Sequence, residues 1–104
     1  TDIGPARLAL AKALPDVPAI AETLLGFEST SWYTVMGPPR MPAPLVARLN
    51  AEVNALVATP EITDRLANDT VEPRALSPEA TARHVADEIA RWKAVAQRAG
   101  VRLD

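Results

Sequence analysis

The sequence predicts an α/β chain that is rich in helix and contains one or two strands. From residue 42 onward, apolar residues recur at three- and four-residue intervals over two long stretches, which is the pattern of amphipathic helices. Residues 29–36 instead combine aromatic and β-branched side chains, which are typical of a strand. At 104 residues the chain forms one domain at most.

Proline residues mark the predicted helix starts. A short first helix is predicted over residues 18–24, with Pro18 at its first position and Gly26 ending it. The second begins at Pro42 or Pro44 and continues to about residue 58. Residues 59–61 and 77–79 each combine a capping hydroxyl, a proline and a glutamate, so further helices are predicted over 60–68 and 78–99. Residues 1–14 favour helix by propensity, although a buried strand also suits their pattern.

The apolar positions of the two longer helices predict which faces turn inward. The stripe of the second helix is Leu45, Leu49, Val53 and Leu56, and Val46 and Val57 broaden it. The stripe of the last helix is Ala82, Val85, Ile89, Trp92, Ala96 and Ala99. On its outer side, a ladder of weak ion pairs is predicted from Glu79, Arg83, Asp87 and Arg91.

The strand predicted over residues 29–36 carries apolar side chains on both faces. Trp32, Thr34 and Met36 share one face, and Tyr33 and Val35 share the other. We therefore expect this strand to be covered on both sides. Residues 71–76 contain a proline and are predicted to be an extended link or a short edge strand.

Charge and composition exclude several classes of function. The net charge is −2, and the eleven Lys and Arg residues are scattered, so a nucleic-acid-binding surface is not expected. The chain has no cysteine, which excludes disulfides and thiol catalysis. No stretch approaches the roughly 18 apolar residues that a membrane-spanning helix needs.

No residue set resembles a catalytic or metal centre. The hydroxyls at residues 29–31 have no nucleophile-elbow motif and no nearby base, and the glycines are isolated. His84 is the only histidine; a pair with Glu88 is conceivable, but a surface histidine on an amphipathic helix is the simpler interpretation. We therefore predict no enzymatic activity, no metal site and no cofactor.

Trp32 and Tyr33 are the candidate binding residues. Either could line a ligand cleft and use its polar tip for orientation. The alternative is that both are packing residues, with Trp32 in the core and Tyr33 at its rim. The residue pattern by itself favours packing and leaves both interpretations open.

An ordered set of short motifs resembles the C-terminal third of the tripartite tricarboxylate transporter receptors, also called Bug or TctC proteins. These motifs are Leu14-Pro15-Asp16-Val17-Pro18, Gly26-Phe27-Glu28, Ser31-Trp32-Tyr33, Pro42-Ala43-Pro44 and Ser77-Pro78-Glu79. One departure is Arg40-Met41, where the family usually has a glycine-threonine turn. The lost threonine cap could cost about 1 kcal/mol.

The resemblance implies a partial lobe of a periplasmic-binding-protein-like fold, with residues 1–104 as a single partial domain of a longer, two-lobed receptor. It implies a periplasmic location, capture of a small carboxylate or related solute, delivery to membrane permease subunits, and no catalysis. It also implies that residues 29–36 lie at or near the crossing between the lobes. If a residue of this segment contacts the cleft, we expect it to be Trp32 or Tyr33.

A second class of function fits the same sequence. The regular three- and four-residue repeat over residues 82–99, in so short a chain, could instead belong to a free-standing helical interaction domain. Such a domain would form homo-oligomers through its alanine-rich helix faces.

Overall fold

The computed structural model describes residues 14–102, which contain four helices. They are α1 (Ile20–Thr23), α2 (Ala43–Val57), α3 (Pro60–Asn68) and α4 (Pro78–Arg98). All four lie within about two residues of the ranges that the sequence predicts, so the helix-rich part of the predicted fold class is confirmed. Helix α1 begins at Ile20 after Ala19 as its N-cap, so the prediction of Pro18 at its first position is wrong. The prediction for residues 1–14 falls almost wholly outside the described residues. Within the described range, no helix is both long enough and apolar enough to cross a bilayer.

The helix starts differ in how they are capped. At α4, the Ser77 hydroxyl accepts a hydrogen bond from the Ala80 N–H at 3.1 Å, as predicted. At α3, the Thr59 hydroxyl does not cap; it donates to the Leu56 carbonyl at 2.7 Å and so closes the end of α2. At α2, the N-cap residue is Pro42, and no side chain caps this helix.

The turn before α2 explains why a glycine suits that position. Arg40 has a φ of 65°, in the left-handed region that residues other than glycine rarely adopt. This conformation costs an L-residue roughly 1–2 kcal/mol. The departure noted in the sequence therefore involves a backbone cost at Arg40, whereas Met41, in place of the family's threonine, precedes the N-cap residue Pro42.

Helix α4 ends in a Schellman motif. The Gly100 N–H donates to the Gln97 carbonyl at 3.3 Å, and the Val101 N–H donates to the Ala96 carbonyl at 3.0 Å. The motif requires a left-handed residue after the cap, and Gly100 supplies it with a φ of 68°. The sequence predicts this stop correctly.

Helix α3 ends in the same motif with a residue poorly suited to it. The Thr70 N–H donates to the Ala67 carbonyl at 3.0 Å, and the Val71 N–H donates to the Leu66 carbonyl at 2.8 Å. Thr70 therefore stands where α4 has glycine, with a φ of 56°. A β-branched residue is strained in this conformation.

No side chain in residues 14–102 is fully buried, and the partly covered face of α2 matches the predicted one only in part. Leu45, Leu49 and Leu56 are 45%, 47% and 57% exposed. The partly covered residues of this helix are Val46, Asn50, Val53, Asn54 and Val57. The covered face thus keeps the three predicted valines and leaves the three predicted leucines exposed.

Helix α4 also agrees with its predicted face only in part, because its partly covered positions mix Val85 and Ala96 from the predicted stripe with polar residues. Ile89 and Trp92, from the predicted apolar stripe, are 63% and 44% exposed. In their place, the partly covered positions include His84, Glu88 and Arg91. The ion-pair ladder predicted for the outer side is wrong for Arg91, which pairs with Glu88 instead.

Among residues 14–102 there is no strand, so the strand predicted over residues 29–36 is wrong. A strand needs a partner whose main chain continues the hydrogen-bond ladder, and the described residues provide none for this segment. Residues 27–38 form a connection without regular structure, in which Tyr33 and Val35 are 86% and 80% exposed. The sequence predicts that the segment is covered on both faces. Within the described chain, the face of Tyr33 and Val35 is not covered.

The link between α3 and α4 is held by two asparagines of α2. The Asn50 side-chain amide donates to the Leu76 carbonyl at 2.9 Å, and that of Asn54 donates to the same carbonyl at 3.1 Å. Asn54 also donates to the Asn50 side-chain oxygen at 3.2 Å. Residues 71–76 are thus a link pinned to α2, and the edge-strand alternative is wrong.

Candidate functional site

Trp32 packs on the covered face of α4. Its indole Nε1 donates to Oε2 of Glu88, at 3.3 Å. Its ring also meets the imidazole of His84 edge to face, with centroids 5.1 Å apart and planes at 75°. Segment 27–38, in which Trp32 lies, is therefore attached to the last helix by a side chain rather than by a strand ladder.

The Glu88 carboxylate is the centre of this contact. Besides Trp32, it accepts a hydrogen bond on Oε2 from the Trp92 indole Nε1 at 2.9 Å. Its other oxygen, Oε1, accepts from Nη1 of Arg91 at 3.2 Å. The Glu88 side chain is only 14% exposed, so these donors replace most of the water around it.

Arg91 joins the same segment to α4 from a second point. Its Nη2 donates to the main-chain carbonyl of Glu28. Its guanidinium carbon lies 5.5 Å from the centre of the Trp92 ring, within range of a cation–π contact. Glu28 and Trp32 are thus both held on α4, at positions four residues apart in the segment.

The hydrogen-bond donors around Glu88 lower the pKa of its carboxyl group. The Trp92 indole has the largest effect, partial removal from water opposes it, and Trp32 and Arg91 lower the pKa further. A carboxyl whose pKa is lower in the folded state stabilises the fold above its unfolded pKa. That contribution disappears as the pH falls through the folded pKa. The contact is therefore expected to weaken in acid.

The two predicted binding residues lie in different environments. Trp32 is partly covered by α4, whereas Tyr33 is 86% exposed. Exposure alternates along residues 31–35, with Trp32 and Thr34 partly covered and their neighbours exposed, as it does when successive side chains point to opposite sides. The structure thus separates the two candidates: one faces α4 and the other faces away from it.

His84 does not pair with Glu88, which is the alternative that the sequence leaves open. Among the hydrogen bonds and ion pairs of residues 14–102, none joins these two side chains, and His84 contacts the Trp32 ring instead. Glu88 and Arg91 are the residues that sequence analysis did not identify as part of the site. A glutamate four residues before a tryptophan on one helix is the signal that could have indicated the Glu88–Trp92 hydrogen bond.

The cluster is suited to holding a segment rather than to proton transfer. Both Glu88 oxygens are occupied by hydrogen-bond donors, so the carboxylate is poorly placed to act as a general base. The part of the chain that the structure describes contains no group of three side chains able to hold a metal ion.

Comparison with known proteins supplies the family. Residues 6–101 match the sequence model of the tripartite tricarboxylate transporter family receptor. This chain belongs to that receptor family. The match covers nearly all of the sequence and confirms the resemblance seen in the motifs. No solved structure matches the chain.

Two curated relatives of this receptor-family chain are much longer than it is. The UPF0065 protein in the tcbD-tcbE intergenic region of Pseudomonas sp. (strain P51) is 38% identical over 82 residues, or 77% of this chain and 24% of the relative. Protein BugT of Bordetella pertussis is 30% identical over 92 residues, or 86% of this chain and 28% of the relative. The chain thus spans about a quarter of the length of these relatives.

Proposed function

We propose that this chain is the C-terminal portion of a periplasmic receptor that captures a small organic acid for a tripartite tricarboxylate-type transporter. The observation that supports this most directly is the family match over residues 6–101. The chain's share of its relatives' length supports a role as a single partial domain of a longer protein. The exposed leucines of α2 and the exposed face of α4 would then pack against the rest of the receptor.

In this proposal the receptor binds its solute without catalysing a reaction. Two lobes close around the solute, and the segments that connect the lobes absorb the change in main-chain angles. Residues 27–38 would be such a segment, because they lack regular structure and contact α4 through few side chains. The loaded receptor would then deliver the solute to membrane permease subunits.

The proposal is tested on the native gene product, purified from a periplasmic extract of the source cells. Its intact mass shows whether the product is longer than this 11.1 kDa chain. Isothermal titration with mono-, di- and tricarboxylates should then show saturable binding of at least one acid at a one-to-one ratio. A product that binds none of them across the panel contradicts the proposal.

Tyr33 and Trp32 are the residues of the described chain that we propose to contact or support the solute. Replacing Tyr33 by Ala should weaken solute binding by about tenfold, because an exposed aromatic ring next to a ligand contributes both area and a hydrogen bond. Replacing Trp32 by Ala should weaken it comparably. Titration calorimetry measures both effects.

Leu25→Ala is a suitable control for these variants, because Leu25 is 91% exposed and lies outside the segment. Its solute affinity should equal that of the wild type. If Tyr33→Ala and Trp32→Ala fold normally and bind the solute with unchanged affinity, neither residue belongs to the site.

The second candidate is a self-associating interaction domain, and the exposed apolar side chains of α4 favour it. Ile89, Trp92 and Val95 are 63%, 44% and 39% exposed and recur at three-residue spacing on one face. If this face pairs with a second copy, sedimentation equilibrium of the chain should show a dimer, and Ile89→Lys should return it to a monomer. A monomer at all concentrations up to the millimolar range contradicts self-association.

A further inference from the structure

We infer that Glu88 is a positioning residue of the receptor: its carboxylate holds Trp32 on α4 and thereby fixes the direction in which Tyr33 projects. The functional part of this inference rests on the proposed function. The structural part, that Glu88 holds Trp32, stands on the contacts themselves.

Three contacts described above attach segment 27–38 to α4. They are the hydrogen bond from Trp32 to Glu88, the hydrogen bond from Arg91 to the Glu28 carbonyl, and the edge-to-face contact of Trp32 with His84. Glu88 takes part in the first directly. It also acts on the second, because it binds the Arg91 guanidinium. One carboxylate therefore supports both ends of the attachment.

The Glu88 carboxylate is oriented by side chains of its own helix, α4. Trp92, four residues further along the same helix, binds Oε2, and Arg91, three residues along, binds Oε1. Both donors come from α4 itself, so the orientation of the Glu88 side chain does not depend on the segment. The Trp32 indole thus meets an acceptor that is already oriented, which reduces the conformational entropy lost on contact.

Fixing Trp32 has a consequence for the residue next to it. In an extended chain, successive side chains point to opposite sides, so an indole held on α4 directs the following side chain away from the helix. Tyr33 is that side chain, and its exposure of 86% agrees with this direction. Glu88 would therefore position Tyr33 for a solute without contacting the solute.

The charged surroundings of Glu88 are simple. From α4, the ionisable neighbours in the cluster are Arg91, which binds it, and His84, which contacts Trp32. From segment 27–38, the contacts come from the neutral Trp32 indole and from the main-chain carbonyl of Glu28. A glutamine at position 88 keeps the size and one acceptor oxygen, but it presents an amide donor where a second acceptor is needed.

The first test uses the chain's two tryptophans, which give two indole N–H signals in a nitrogen-proton correlation spectrum. Because both indoles donate to one oxygen of Glu88, both signals should shift with a common midpoint as the pH is lowered. Glu88→Gln should abolish this common step and move the Trp32 signal toward that of a solvent-exposed indole. Separate midpoints, or an unmoved Trp32 signal in the variant, would overturn the inference.

The second test measures carboxylate affinity in the native gene product. Glu88→Gln should weaken binding by roughly three- to tenfold, the effect expected when one hydrogen bond to a charged acceptor is lost. Asp87→Asn is the matched control, since it removes the same charge from the neighbouring exposed residue of α4 and should bind as the wild type does. Circular dichroism should show equal helix content in all three proteins.

The outcomes separate this inference from the proposed function. If the wild type binds carboxylates and Glu88→Gln binds them equally well while its Trp32 signal has moved, Glu88 does not position the site. If Asp87→Asn weakens binding as much as Glu88→Gln does, net charge rather than positioning explains the effect. If the wild type binds no carboxylate, the proposed function fails, and the indole titration decides whether Glu88 holds Trp32.

Discussion

Replacing both Asn50 and Asn54 by alanine is expected to lower the free energy of unfolding by roughly 1–2 kcal/mol. The Leu76 carbonyl accepts hydrogen bonds from both side-chain amides and is partly covered. When both donors are lost, water cannot supply hydrogen bonds of equal strength to this carbonyl. Alanine is the better helix former, which offsets part of this loss. Urea unfolding followed by circular dichroism measures the net change.

The direction of this change is the informative part. Helix propensity by itself predicts that an asparagine-to-alanine exchange stabilises the chain, whereas loss of the Leu76 contacts predicts the reverse. Asn68→Ala provides the comparison, because Asn68 lies in α3 and is exposed. Hydrogen exchange in residues 71–76 should accelerate only in the double variant. Unchanged exchange there would mean that the asparagines do not hold the link.

Exchanging the left-handed residues of the two Schellman motifs should change stability in opposite directions. Gly100→Thr places a β-branched residue at a φ of 68° and should destabilise the chain by roughly 1–2 kcal/mol. Thr70→Gly relieves the same strain at a φ of 56°, at the cost of a more flexible unfolded chain. It should therefore stabilise by up to about 1 kcal/mol. Thermal unfolding of the two variants beside the wild type checks both values.

The two sites act as controls for each other, because the hydrogen bonds around them follow the same pattern. A loss of stability in both variants would show that Thr70 has a role beyond its main-chain angle. A gain in both would show that the motif at the end of α4 is not formed. Neither result is compatible with strain as the explanation.

The helices could be predicted because their signals are local. Ser77, Pro78 and Glu79 lie next to one another in sequence, and capping depends only on residues within one turn. The end of α4 at Gly100 is equally local. For α3, the predicted stop at Asn68–Asp69 is close, but the residue that makes the turn is Thr70, which composition does not suggest.

The faces of the helices could be predicted only in part, and the site could not be predicted, because both depend on contacts between distant residues. A stripe of apolar residues indicates which face is able to be buried, and it does not say what the chain places there. On α4, the Trp32 indole lies against Glu88, 56 residues away, so this polar residue is covered while Ile89 remains exposed. The strand prediction failed for a related reason, since a strand exists only with a partner.

The absence of fully buried side chains in residues 14–102 has a consequence for the heat capacity of this chain. Newly hydrated apolar surface supplies most of the heat-capacity increase on unfolding, which is about 12–15 cal/mol/K per residue in ordinary globular proteins. This chain uncovers less such surface and should fall below that range. Its stability curve should then be shallow, with a broad thermal transition and little cold destabilisation.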